Sequence, residues 1–87
     1  MNNEETIKQA IVEAILQIAP EVEAEEIDPD ANIQRSLEID SFDFLKILTA
    51  LKEKLGVEVP ESDYAEVESL NRMARYFAAR RDRKSVV

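Results

Sequence analysis

The sequence contains no cysteine, no histidine and no tryptophan, and a single glycine among its 87 residues. Each absence removes a class of chemistry. Without thiols or imidazoles there are no disulfides, none of the commonest zinc or iron–sulfur sites, and no Cys- or His-based nucleophilic catalysis. With only Gly56, no phosphate-cradling glycine loop can be built. Carboxylate sites for Mg²⁺ or Ca²⁺ stay open, although nothing else in the sequence calls for a metal. No apolar run approaches the ~20 residues of a membrane span. The N-terminus has neither a basic stretch nor a continuous apolar core of the secretory type. These features predict a cytoplasmic chain with no membrane span and no need of an oxidising compartment.

Charge is present in quantity and unevenly placed. Nineteen acids and 11 bases leave a net −8. Residues 1–68 hold 18 acids and 5 bases, a net −13, while residues 69–87 hold 1 acid and 6 bases, a net +5. An acidic body argues against nucleic acid, which needs clustered Lys and Arg. It suits basic partner surfaces through steering, or simply confers solubility. A hydrophobic share of 45% is too high for disorder. A chain of this length makes one domain and buries roughly 60–70% of its unfolded surface. That domain is expected to take in residues 1–87 as a monomer, with the basic tail about 81–87 disordered.

Apolar spacing of three and four residues predicts a first helix over 4–18, through Ile7, Ala10, Ile11, Ala14, Ile15 and Ile18, with Asn3 as its cap and Pro20 as its stop. Residues 19–40 break that period with Pro20, Pro29, Asn32 and many acids. They read as a long loop, with room for a short helical turn, pinned by Ile27, Ile33, Leu37 and Ile39. A second helix is expected from Asp40–Ser41 to Leu55, with Gly56 as its C-terminal cap. Its face of Phe42, Phe44, Leu45, Ile47, Leu48, Leu51 and Leu55 is too wide for an ordinary surface helix. Val57-Glu58-Val59-Pro60 alternates like a strand but has no partner strand, so an extended connector is expected. A short helix over 62–67 turns Tyr64 and Val67 inward. A last helix over 69–81 packs through Leu70, Met73, Ala74, Phe77 and Ala78. The fold class is therefore all-α, a small four-helix bundle of three longer helices and one short third helix, with a long loop between the first two.

Catalytic constellations are nearly absent. Glu25–Glu26 and Asp28–Asp30 arise from composition in so acidic a chain, and a domain this small leaves little room for a substrate cleft. Asp28-Pro29-Asp30-Ala31-Asn32 is like the start of a calcium loop, but it lacks the central glycine and the closing glutamate. No metal ligands are assigned, and no enzymatic activity is expected. Ser41 stands out, at the junction of the acidic loop and the apolar helix. Its hydroxyl can cap that helix, or Asp40 can take the cap and leave Ser41 exposed in the first turn.

The surroundings of Ser41 resemble a known family. Asp40-Ser41-Phe42-Asp43, with Leu37 four residues before the serine and an apolar helix after it, resembles the Asp-Ser-Leu attachment site of acyl carrier proteins. Ala50-Leu51-Lys52-Glu53-Lys54-Leu55-Gly56-Val57-Glu58-Val59-Pro60 is similar to that family's second-helix end and its connector. The likeness covers about residues 4–80. It implies a carrier: Ser41 would accept a 4′-phosphopantetheine arm from coenzyme A, installed by a phosphopantetheinyl transferase. Acyl groups held as thioesters on that arm would pass between acyl-loading and acyl-processing enzymes of fatty-acid, polyketide or related synthesis. The missing cysteine fits, since the working sulfur would belong to the cofactor. By the same resemblance Asp40, Phe42 and Asp43 serve recognition by the transferase and partners, and Phe42 is expected in the core as well. An acyl chain would retreat between the second and third helices, near Leu51, Val59, Tyr64 and Val67.

The chain also departs from the family pattern. Glu38 stands where the family often has glycine, and Phe42 replaces the usual leucine. Lys46, Lys52 and Lys54 interrupt a helix face that is strongly acidic in fatty-acid carriers, leaving Asp43 and Glu53. Charge on that face selects partners, so a specialised carrier with dedicated enzymes is expected. Phe44 reads either as an exposed aromatic contact on that face, beside Lys46, or as core. Two other readings stay open. One is an aminoacyl or peptidyl carrier of non-ribosomal synthesis. The other is a binding-only helical module that docks a partner through Phe44, Ile47 and Leu48.

Overall fold

A computed structural model describes residues 3–86, with side chains described for residues 4–80. Helix α1 spans Asn3–Ile18, so Asn3 lies within the helix and not ahead of it. Ile7, Ile11, Ala14 and Ile15 are fully buried along one stripe. The last turn closes with the Ala19 amide donating to the Ile15 carbonyl at 2.8 Å. Pro20 follows and has no amide to continue the ladder.

The loop after α1 is more ordered than its composition suggests. A 3₁₀ turn at Ala24–Glu26 is closed by the Glu23 amide donating to Glu26 Oε1 at 2.9 Å. Helix α2 is a single turn, Ile33–Ser36, capped by Asn32 Oδ1 accepting from the Arg35 amide at 3.0 Å. Ile27, Ile33 and Ile39 are buried as anchors and Leu37 is half-buried; Ala19 and Val22 are buried too, beyond the expected set. The Ile33 amide donates to the Glu68 carbonyl at 2.8 Å, the Asn71 amide to the Pro29 carbonyl at 3.0 Å, and Asn71 Nδ2 to Asp30 Oδ1 at 2.7 Å. Both acids of the calcium-like run are therefore engaged within the chain, Asp30 by the Asn71 side chain and Asp28 Oδ1 by the Asp30 amide at 2.9 Å.

Helix α3, Ser41–Leu55, follows the expected bounds and corresponds to the second long helix. Gly56 ends it at φ 71°, a left-handed conformation that suits glycine, with its amide on the Lys52 carbonyl at 2.8 Å. Residues 57–60 run extended with Val57 buried, and no strand forms among the described residues. The short third helix is a 3₁₀ helix, Glu61–Val67, with Val67 fully buried and Tyr64 half-buried. Helix α4, Leu70–Val86, opens with Ser69 Oγ accepting from the Arg72 amide at 3.2 Å. It extends past the expected end near residue 81. The side chains of residues 81–87 lie outside the described residues, and the expectation of a disordered basic tail falls there.

α1 packs against both α3 and α4, and the 61–67 helix packs on α4. The architecture is the small all-helical bundle that the spacing predicts, with single-turn elements added in the long loop. Tyr76 joins the expected α4 stripe and is buried. Its hydroxyl donates to Asp63 Oδ2 at 2.7 Å; Arg80 Nη2 reaches the same oxygen at 3.0 Å, and its guanidinium lies 4.3 Å over the ring.

Burial of the phenol, and then its bond to Asp63, push the Tyr76 pKa from 10.0 up to about 12. The folded state thus holds its proton where the unfolded chain has lost it. That contribution to stability is complete below pH 10 and is lost as pH rises through 10 to 12, an effect on the order of 2 kcal/mol. Tyr76→Phe is expected to cost about 1 kcal/mol at pH 8 and to flatten the alkaline decline, read by urea denaturation across pH 8–12. Parallel declines in the two proteins over pH 10–12 would contradict this assignment.

Candidate functional site at the start of α3

Asp40 precedes α3 in an extended conformation, φ −78° and ψ 175°, and its Oδ1 accepts from the Asp43 amide at 2.8 Å. The aspartate therefore holds the cap, and the Ser41 hydroxyl is left without that duty. Ser41 is the first helical residue and is exposed, and its hydroxyl makes no hydrogen bond among the described residues. It stands at the positive end of the α3 dipole, where an added phosphate is favoured. Glu38, three residues ahead, sits at φ 55°. A left-handed backbone costs a non-glycine residue roughly 1–2 kcal/mol, so the position suits the glycine that the family often has there.

Next to Ser41 the structure overturns the expectation for Phe42 and decides the open one for Phe44 in favour of the core. Phe42 is 77% exposed, not core, whereas Phe44 is buried at 5%. Each helical residue turns about 100°, so residues 42 and 44 point to different sides. Phe44 aligns with Ile47, Leu48 and Leu51, all buried, and meets the Tyr64 ring edge-on at 6.3 Å. A binding-only module docking through Phe44, Ile47 and Leu48 has no such surface here. The exposed apolar pair is Phe42 with Leu45, which is 41% exposed, and Lys46 follows at the i,i+4 position from Phe42. Lys46 Nζ lies 3.9 Å from Asp43 Oδ1.

The other lysines of α3 also have acidic neighbours, Lys52 with Glu58 at 3.8 Å and Lys54 with Glu13 at 3.0 Å. Of the residues read as an acyl pocket, Leu51 and Val67 are fully buried while Val59 and Tyr64 are half-buried. The two depressions described on the surface are lined by other residues, along α4 and beside α2. The exposed Phe42–Leu45 pair was not foreseen, although the buried set at 44, 47, 48 and 51 already defines the face that excludes it.

The family model described as a phosphopantetheine attachment site matches residues 9–77, most of the chain and inclusive of Ser41. The chain belongs to this family. Its function is that of an acyl carrier protein, with 4′-phosphopantetheine as a covalent cofactor, and it is not an enzyme. Similar proteins agree. An acyl carrier protein of Helicobacter hepaticus is 27% identical over 79 residues, covering 91% of this chain and 97% of the relative. One from Helicobacter pylori is 28% identical over 65 residues, covering 75% and 83%. Mitochondrial acyl carrier protein 2 of Arabidopsis thaliana is 25% identical over 75 residues, covering 83% of this chain and 60% of the relative. Family membership implies interaction with a phosphopantetheinyl transferase and with acyl-handling enzymes in general. No described helix is long and apolar enough to cross a membrane.

The residues present fit the cofactor. A phosphodiester formed on the exposed Ser41 oxygen would stand at a helix N-terminus, beside an aspartate whose Oδ1 is already engaged by the Asp43 amide. When bound, the group supplies a thiol on a flexible arm, and this chain has no thiol of its own.

Proposed function

We propose that Ser41 is the attachment residue and that the carrier serves a dedicated set of enzymes through the start of α3. One observation carries the reading: the Ser41 hydroxyl is exposed and unengaged at a helix N-terminus whose cap is held by Asp40. In attachment, the Ser41 oxygen forms a new bond to the phosphorus next to the pantetheine. The adenosine-bearing half of coenzyme A leaves, and the hydroxyl proton passes to a base on the transferase. Incubation with coenzyme A and a broad-specificity transferase should add one arm per chain by intact mass, and fragmentation should place it on Ser41. An arm on another serine, or none on the folded chain, overturns the proposal.

Partner recognition is assigned to Asp40, Phe42, Asp43 and Lys46, with Leu45 added; Phe44 supports them from within the core. Three lysines on α3 support partners other than those adapted to an all-acidic face. The proposed state is a cytoplasmic monomer, in keeping with a charge-rich surface on which only Phe42 and Leu45 are exposed large hydrophobics among the described residues. Phe42→Ala is expected to leave stability within about 0.5 kcal/mol, because the ring is exposed. The same change should raise the transferase KM on the order of tenfold, the value of one ring buried at an interface. An unchanged KM for the transferase and for the loading enzyme would remove Phe42 from the contact surface.

A further inference from the structure

The three acids nearest Ser41 in the chain are not equivalent. Residues 36–45 contain Glu38, Asp40 and Asp43, and no lysine or arginine. Asp40 is occupied as the helix cap by the Asp43 amide, and Asp43 has Lys46 at 3.9 Å. Glu38 is exposed, and its carboxylate makes no hydrogen bond and no ion pair among the described residues. Its backbone is also the costly one. At φ 55° it is the one non-glycine residue with positive φ among the described residues. The way α2 ends imposes that conformation. Leu37 closes the turn, and beyond Glu38 the Ile39 amide returns to the Gln34 carbonyl at 3.0 Å. Such a return needs a left-handed residue just before it, a place where glycine is the favoured occupant. Ile33 and Ile39, both buried, fix the turn from the core side. A side chain is thus kept where the fold would do better without one. Strained positions of this kind collect at functional sites, and this one lies three residues before the serine.

We propose that Glu38 is a specificity-determining residue, its carboxylate pairing with a lysine or arginine of the phosphopantetheinyl transferase docked over Ser41. The inference rests on Ser41 as the attachment residue. A basic group is the fitting partner because the stretch around the serine offers acids alone, and Glu38 is the acid left free. Charged pairs at the edge of a docking surface act on encounter and on the choice of partner. Glu38 therefore takes no part in the bond that forms on the Ser41 oxygen, and its effect falls on KM and not on kcat.

The test is transferase kinetics with coenzyme A on the full chain, beside urea denaturation of each variant. Glu38→Gln should raise KM at least threefold at low salt, leave kcat within twofold, and lose the difference at high salt. Glu38→Gly should show the same rise in KM while its denaturation midpoint goes up, because the backbone is relieved. A residue that only shaped the backbone would give the reverse, a more stable chain modified at least as well. Glu38→Asp keeps the charge and should hold KM within twofold of the unsubstituted chain. Glu58→Gln removes one charge past the far end of α3, a helix about 22 Å long, and should also stay within twofold. The proposal is overturned by an unchanged KM in Glu38→Gln, or by an equal rise in Glu58→Gln or Glu38→Asp. A lower midpoint in Glu38→Gly overturns it as well. An unsubstituted chain that gains no arm on Ser41 removes the attachment reading itself, so the two failures are told apart.

Discussion

Ser41→Ala is expected to take arm incorporation from one per chain to none while leaving the denaturation midpoint unchanged. The two outcomes separate because the hydroxyl serves no structural purpose: it is exposed, and Asp40 supplies the oxygen that satisfies the Asp43 amide. Alanine is a good residue for the first turn, so the helix should start where it did. Asp40→Ala makes the reciprocal case. Loss of that cap should cost about 1 kcal/mol, yet the hydroxyl remains and incorporation should continue, though more slowly. Intact mass and urea denaturation on the two variants read both halves of the contrast. Mass gain by Ser41→Ala, or a stability loss near that of Asp40→Ala, would falsify the division of labour between these neighbours.

The largest stability effect is expected at Phe77. Its side chain is fully buried on α4 and meets the Tyr76 ring edge-on at 5.7 Å. α4 also packs on α1 and on the 61–67 helix, so a void at Phe77 lies on a helix against which two other elements pack. Phe77→Ala should cost roughly 3–5 kcal/mol from lost transfer energy and the cavity together. Against a total of about 5–15 kcal/mol for a small domain, such a loss leaves the chain marginal or unfolded. Phe42→Ala removes the same ring from an exposed position and should cost almost nothing by comparison. A Phe77→Ala midpoint equal to that of Phe42→Ala would mean that α4 is not packed as described.

How much of this was legible in the amino acids can be seen at particular residues. The bounds of α3 were readable because both ends carry strong local signals, a capping aspartate at 40 and a glycine at 56. α1 was readable from its unbroken stripe and from Pro20. The reading failed at Phe42 because a hydrophobic residue was taken to mean a buried one. Angular arithmetic about the helix axis would have placed residue 42 off the stripe formed by 44, 47, 48 and 51. Tyr76 was missed for a different reason. Its burial depends on Asp63 and Arg80 supplying partners for the hydroxyl, and that meeting is tertiary. The loop could not be resolved beyond its anchors, since the bonds that order it reach residues 68 and 71. At the start of α3, Ser41 and Asp40 were both visible from sequence. The choice between them as cap needed the bond from the Asp43 amide.

Those bonds between the loop and the start of α4 also bear on when the carrier becomes competent during its synthesis. Pro29, Asp30 and Ile33 precede Ser41 in the chain, but the groups that hold them, at Glu68 and Asn71, are made about thirty residues after it. Closing so long a segment is entropically unfavourable until its far partner exists. A growing chain that has just exposed Ser41 beyond the ribosome therefore lacks the contacts that order the approach to α3. The approach to α3 is ordered only once the beginning of α4 is in place, so the helix start and its exposed serine depend on residues far downstream of them.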